Sequence, residues 1–325
     1  MQLTSLSFDA MGTNVHVIYG GADPQHASLA ITRVQELELL WSRFLPDSEV
    51  SQINRRRGEA VAVSPETIEL VERAVEAWTI TGGLFDPTVL DDMLELGYDR
   101  TFKELDSLPP QSTDPTAAAP LVNASRGSLD LVVDRAASTV CLTGQRGIDS
   151  GGIGKGLAAD IAAAALVEAG APGALVNLGG DLRSAGESPL GGWRVDVDNP
   201  FDPLGPPAAR FKLEGNNALV TSSSQGRRWR DGEQENHHLL DPSSGQPANS
   251  DIASVSVIAD SGWRAEALAK AAFLIGRDQA LEMLPAATAT GMIVGRDGAV
   301  DWVLGSRPYR VAERLIARRA AGPAI

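Results

Sequence analysis

The chain has 325 residues, 43% of them hydrophobic and 22% charged, which is enough apolar material to close a core in one large domain or two lobes. A formal charge of −14 argues against nucleic acid, because a phosphate backbone is repelled except at a local basic patch, and the one basic cluster, Arg227, Arg228 and Arg230, reads as a solvated loop. Cys141 is the only cysteine, so an intrachain disulfide is excluded, and its strand-like setting suits a buried, inert thiol.

Residues 3 to 8 and 14 to 19 read as paired strands around a turn at Met11-Gly12-Thr13. The opening Met1 to Phe8 has no basic n-region, apolar h-region or cleavage site, and no apolar run of about 18 residues follows, so cytoplasmic residence without a membrane span is expected. His26 to Trp41 carries Leu29, Val34, Leu37 and Leu40 at helical spacing. A second helix has Ser64 as N-cap, Pro65 at its first position, a face of Ile68, Val71, Val75 and Trp78, and Gly82 at its C-terminal stop. That stop leaves Leu84-Phe85-Asp86 on a loop directly after a rigid element.

Residues 108 to 120 are rich in Pro, Ala, Ser and Thr and read as a linker or loose insertion. Strands are expected at 129 to 133 and 138 to 142. Gly147-Ile148-Asp149-Ser150-Gly151-Gly152-Ile153-Gly154-Lys155-Gly156 then precedes an alanine-rich helix at 157 to 169, stopped by Gly170 and Pro172. Glycines allow main-chain N–H groups to approach an anion, Lys155 adds a point charge, and the helix N-terminus faces the same way. The spacing is not that of a Walker A loop, because Asp149 and Gly156 stand where a Gly and a Ser or Thr are required; a plain strand-to-helix turn is the other reading. Further strands are expected at 174 to 178 and 252 to 259, with one at 193 to 197 inside a long loop, then a helix at 263 to 275 closed by Gly276 and a hairpin at Asp297-Gly298. Together these describe an antiparallel-rich α+β fold and not a Rossmann sheet, since no G-x-G-x-x-G opens a helix near the start.

Seven motifs surround the glycine loop in order: Met11-Gly12-Thr13, Ser42 to Glu49 running on to Asn54, Thr81 to Thr88, Val176 to Asp181, Thr221-Ser222-Ser223, His237 to Gly245, and Ala265 to Lys270. In order and spacing they resemble the ApbE family of FAD:protein FMN transferases, from about residue 6 to 305. The resemblance implies a single domain over 1–325 with a T-fold-like core and a ligand cleft. It implies FAD as donor, Mg²⁺ on its diphosphate, and transfer of FMN to a Ser or Thr hydroxyl of a partner flavoprotein with release of AMP. Many family members resemble exported lipoproteins with a lipidated cysteine near the N-terminus, a pattern this chain departs from.

By position, Met11, Phe44, Leu84, Phe85, Asp86, Asp149, Lys155, Thr221 and Leu240 match ligand-contacting residues of the family. Core packing is the alternative for Phe44 and Phe85, and a turn cap for Asp86 and for Thr221-Ser222. Asn177, Gly180 and Asp181 read as cleft support. Of His237 and His238, adjacent on a strand, only one can face the cleft. His238 is the expected base for the acceptor hydroxyl, with Asp241 to orient it. For the metal, the resemblance implies the Gly152 carbonyl and two helix positions, an Asp and a Thr or Ser four residues later. Those positions here are Glu266 and Lys270. Glu266 has oxygen donors, but an ammonium has no acceptor and repels a cation. Either Lys270 supplies its own charge in place of the metal, giving metal-independent diphosphate binding, or the protein holds flavin or hydrolyses FAD; Glu and Lys at i and i+4 also form an ordinary helical pair.

Overall fold

The computed structural model describes residues 1–106, 130–231 and 234–311. The loose segment expected at 108 to 120 lies outside the described residues. Eight strands form one sheet: β1 (Leu3–Ala10), β2 (Thr13–Gly20), β3 (Gly173–Leu178), β4 (Asp181–Gly186), β5 (Asn217–Ser223), β6 (Ile252–Ala259), β7 (Thr290–Gly295) and β8 (Val300–Trp302). Their order across the sheet is their order along the chain, and every neighbouring pair is antiparallel. The fold is therefore α+β. In the first hairpin Ala10 pairs with Thr13, and Met11 and Gly12 between them have φ of 51° and 64°. That two-residue turn matches the right-handed twist of the strands it joins.

Side chains of the sheet alternate between two cores, as a pleat requires. Ala218, Val220, Val255, Val257 and Ile293 pack against the helix α4 (Gly262–Ile275). Leu219, Ile258, Met292 and Val294 pack on the other face against a ribbon of Trp193–Val197 and Ala209–Leu213. The lone strand expected at 193 to 197 thus has a partner that starts twelve residues after its end, and β6, sandwiched between the two cores, is buried at every position instead of alternating.

Between β2 and β3 the chain makes a long excursion containing α1 (Pro24–Trp41), α2 (Pro65–Ile80), a small sheet of Ala60–Ala62, Thr139–Leu142 and Leu131–Asp134, and α3 (Gly154–Glu168). Ser64 caps α2 by accepting from the Thr67 N–H, and Pro65 opens it, as expected. Its buried face is rotated from the expected one, to Ile68, Leu70, Val71, Ala74 and Ala77, because the small alanines let the helix sit closer than Val75 and Trp78 would. Cys141 is half-buried rather than buried. Among the described residues no helix is long and apolar enough to cross a membrane.

Helix α3 packs on β3 and β4, α4 on β5 and β6, and the two helices touch at their N-terminal turns. A Cβ on Gly156 would lie 2.4 Å from the Gly262 carbonyl oxygen, and one on Gly262 would lie 2.4 Å from that of Gly156. This crossing is possible only without side chains at both positions, and it brings Lys155 and Glu266 together across 111 residues of chain.

Candidate functional site

The glycine loop is held from three directions. The Asn54 amide exchanges two bonds with the Ile148 backbone, donating to its carbonyl at 2.9 Å and accepting its N–H at 2.8 Å. The Asp149 N–H donates to the Pro87 carbonyl at 2.8 Å, and the Ser150 hydroxyl donates to the Trp41 carbonyl at 2.7 Å. The motifs ending at Asn54 and Thr88 therefore converge on this loop because they anchor its backbone. Around it opens a cleft of about 1310 Å³, open mouth included, lined among others by Met11, Phe44, Leu84, Phe85, Asp86, Asp149, Gly152, Lys155, Arg227, His238, Leu240 and Lys270.

One end of the cleft is ionic. From α3, Lys155 bonds to Asp181 and lies 3.1 Å from Glu266 Oε1; from α4, Lys270 reaches the same oxygen at 2.9 Å. Glu266 Oε2 accepts the Gly156 N–H at 2.8 Å. In return Asp160 of α3 accepts the Gly262 and Trp263 N–H groups at the start of α4, at 2.8 and 3.1 Å. Each helix thus supplies a carboxylate to the other's unsatisfied N-terminal N–H groups. Burial works against charge on Glu266, yet Lys155 and Lys270 hold its pKa well below the ordinary carboxylate value. Burial likewise opposes charge on Lys155, but Asp181 and Glu266 raise its pKa, whereas Lys270 is pushed down by burial and by Lys155. The lysine expected to meet a phosphate is therefore already balanced by two carboxylates.

The donor set implied for Mg²⁺ does not fit that ion. Both Glu266 oxygens are committed to N–H donors, its side chain is 1% exposed, and an ammonium stands at the second ligand position. Lys270 Cε would lie 3.6 Å from a Cβ at Gly152, so this amine side chain runs beside the glycine implied as a carbonyl ligand. Gly152 itself must be small: a Cβ would meet the Phe85 ring at 2.9 Å.

The other end is aromatic. Phe44, Tyr98 and Trp229 form a tilted ladder with ring centroids 5.9 and 5.1 Å apart, fixed by the Trp229 indole N–H donating to the Leu96 carbonyl at 2.6 Å. The Arg43 guanidinium lies against it, 4.2 Å from the Phe44 centroid and 4.7 Å from that of Tyr98. Asp149 pairs with Arg43 Nε at 3.3 Å and accepts the Gly151 N–H at 2.7 Å, so its carboxylate reaches the cleft already engaged. Asp86 lines the cleft but also closes a turn, accepting the Thr88 N–H at 2.8 Å and hydroxyl at 2.6 Å.

The two histidines diverge, as alternation demands. His237 packs edge-on to Phe273 and bonds to the Ala248 carbonyl at 3.2 Å, away from the cleft lining. His238 lines the cleft, and its Nδ1 meets the Arg227 carbonyl at 3.4 Å. A carbonyl can only accept, so the proton sits on Nδ1 and Nε2 carries the lone pair. Burial, with Arg227 and Lys270 nearby, holds its pKa well below the ordinary histidine value, leaving the ring neutral. Asp241 does not orient it: that carboxylate accepts the Ser243 N–H and hydroxyl, at 2.9 and 2.7 Å, and shapes the 241–245 turn. Thr221 pairs with the Ser256 hydroxyl at 2.8 Å within the sheet and is absent from the cleft lining, while Ser222 is buried.

Among the lining residues without a sequence-based role are Arg227, Arg43 and Tyr98. Arg227, read as part of a solvated loop, sits at the ionic end and among the described residues forms no carboxylate pair. Its neighbour Arg228 takes the exposed partner Glu235 instead. Arg43 stood within the Ser42 to Glu49 motif without a role of its own, and a cation beside an aromatic was the available signal. Tyr98 offered none.

The ApbE family model matches residues 11–293. The FAD:protein FMN transferase of Treponema pallidum (strain Nichols) is 31% identical over 280 residues, covering 80% of this chain and 74% of that protein. That of Haemophilus influenzae is 25% identical over 294 residues, covering 87% and 83%. The crystal structure of the ApbE protein from Thermotoga maritima is similar at a TM-score of 0.79 and 26% identity, covering 96% of this chain and 100% of that one. The apo Pseudomonas stutzeri flavinyl transferase ApbE shares the fold at a TM-score of 0.76 and 22% identity, covering 96% and 98%.

Proposed function

The chain belongs to the ApbE family, and from that premise we propose that its cleft binds FAD and that the protein transfers FMN from it to a Ser or Thr hydroxyl of a partner protein. The observation that carries this reading is a neutral imidazole, His238, lining the same cleft as three cationic side chains and the rings of Phe44 and Tyr98. The flat ring takes the aromatic end and the diphosphate the ionic end. There Arg227 is the cation that forms no carboxylate pair among the described residues, and Lys155 and Lys270 present N–H donors whose charge is largely balanced.

In the transfer step the acceptor hydroxyl oxygen attacks the flavin-side phosphorus, and its proton passes to His238 Nε2. The bond from that phosphorus to the bridging oxygen breaks, and AMP leaves carrying the bridging oxygen. Phosphoryl transfer of this kind depends on alignment and charge neutralisation more than on covalent help from the protein. Arg227 supplies the uncompensated positive charge and the two lysines supply N–H donors, with Lys270 standing where a divalent ion is implied, so the reaction is proposed to proceed without a metal.

Incubating the protein with FAD and a candidate acceptor protein, with and without chelator, tests this by detecting AMP and acceptor-bound FMN. AMP with free FMN and no acceptor adduct would point to hydrolysis. FAD binding without AMP from any acceptor would reduce the protein to a flavin holder.

A further inference from the structure

Arg43 combines three features that its structural contacts alone do not use up. Its side chain is only 6% exposed, it lines the cleft, and its Nη2 is a buried donor with no hydrogen-bond partner. A buried donor left unpaired is costly, and an acceptor brought into the cleft beside it would relieve that cost. Three contacts hold the guanidinium in place. Nε pairs with Asp149 at 3.3 Å, and Phe44 and Tyr98 lie against it at 4.2 and 4.7 Å from their centroids. These contacts fix its plane and leave the Nη2 N–H groups free to donate to a ligand.

The acceptor's chemistry follows from the charge balance. Asp149 neutralises Arg43, and Asp99 is near enough for Arg43 to act on its titration. What remains is a directed N–H donor in an apolar surround of Phe44, Tyr98, Met93 and Phe102, without surplus positive charge. Such a donor suits an uncharged carbonyl oxygen better than a phosphate, which would bring two negative charges beside two carboxylates.

We propose that Arg43 recognises the ligand's ring system directly, its Nη2 donating a hydrogen bond to a carbonyl oxygen on the ring edge while Asp149 holds the guanidinium in place. The inference rests on reading the cleft as the FAD site. It makes Arg43 a determinant of ring identity, separate from the diphosphate contacts at the ionic end.

The test titrates wild type, Arg43→Gln and Arg43→Lys with riboflavin, FMN and FAD, following flavin fluorescence and the visible absorption band. Loss of a charge-assisted hydrogen bond should weaken binding about tenfold to a hundredfold. Both variants should lose that factor equally for all three ligands, because all carry the same ring, and the bound flavin's absorption band should shift. Since Arg43→Gln strands Asp149, the charge-neutral pair Arg43→Gln with Asp149→Asn is measured alongside, with thermal melting as the check on folding; the same loss is expected in it. Unchanged affinities in folded variants, or a loss confined to FMN and FAD, would overturn the proposal. A wild type that binds none of the three would instead overturn the FAD reading itself.

Discussion

Replacing Glu266 by Gln removes one negative charge from the point where α3 and α4 cross while preserving shape. In the wild type, Lys155 and Lys270 approach Oε1 at 3.1 and 2.9 Å, and the Gly156 N–H approaches Oε2 at 2.8 Å. A unit charge pair at about 3 Å and an effective dielectric of about 20 is worth roughly 5 kcal/mol before desolvation is subtracted. An amide can accept with one side only, so its NH₂ must face either an N–H or an ammonium. Breaking a buried ion pair in this way typically costs about 3–5 kcal/mol, a drop of roughly two to four orders of magnitude in the folding equilibrium. Urea unfolding followed by tryptophan fluorescence at pH 7 reads this directly. Lys270→Met should lose less, because Glu266 keeps Lys155 and Gly156. The pH dependence has a definite sign: Glu266 has a lowered folded-state pKa, so its stabilisation is complete above the ordinary carboxylate value and is lost as pH falls below it. The deficit of Glu266→Gln should therefore shrink on acidification below about pH 4.5. A variant within 1 kcal/mol of wild type at pH 7 (about one-fifth of that pair energy) would refute the idea that this carboxylate locks the crossing.

FAD binding by the wild type should be indifferent to chelator, whereas Lys270→Thr with Glu266→Asp should acquire Mg²⁺-dependent binding by restoring two oxygen donors; chelator-sensitive FMN transfer by the unmodified chain would show that Lys270 does not stand in for the metal. Gly156→Ala should cost about 1–3 kcal/mol or more by urea unfolding, because the added methyl meets the Gly262 carbonyl oxygen at 2.4 Å and backbone must move; an unaltered midpoint would mean the helices have slack. Burial pushes the Asp160 carboxyl up to about 6, so the stabilisation from its protonated form is lost as pH rises through that value. Between pH 7 and 5 the wild type should gain about 1.4 kcal/mol that Asp160→Asn does not, and parallel pH profiles for the two proteins would contradict this.

The chain order of strands and helices could be read from the sequence because each signal is local. Ser64 and Pro65 begin a helix, Met11-Gly12 turns a hairpin, and Gly276 ends a helix through backbone conformations available to few other residues. The family and part of the cleft lining, from Met11 and Phe44 to His238 and Lys270, could also be read there, since motif order survives without knowledge of distance. Local pattern could not reveal what each charged residue touches. Glu266 and Lys270 look like an ordinary i, i+4 pair in the sequence, and Lys155 looks like a phosphate ligand. Only the approach of Gly156 to Gly262 joins them, with Asp181, into one buried network. Asp241 and Thr221 carried the right chemistry for the site, yet the turn and the sheet hold them elsewhere. Arg43 and Arg227 reached it unannounced, because burial and partner choice are set by contacts between segments far apart in the chain, and side-chain chemistry alone does not encode those contacts.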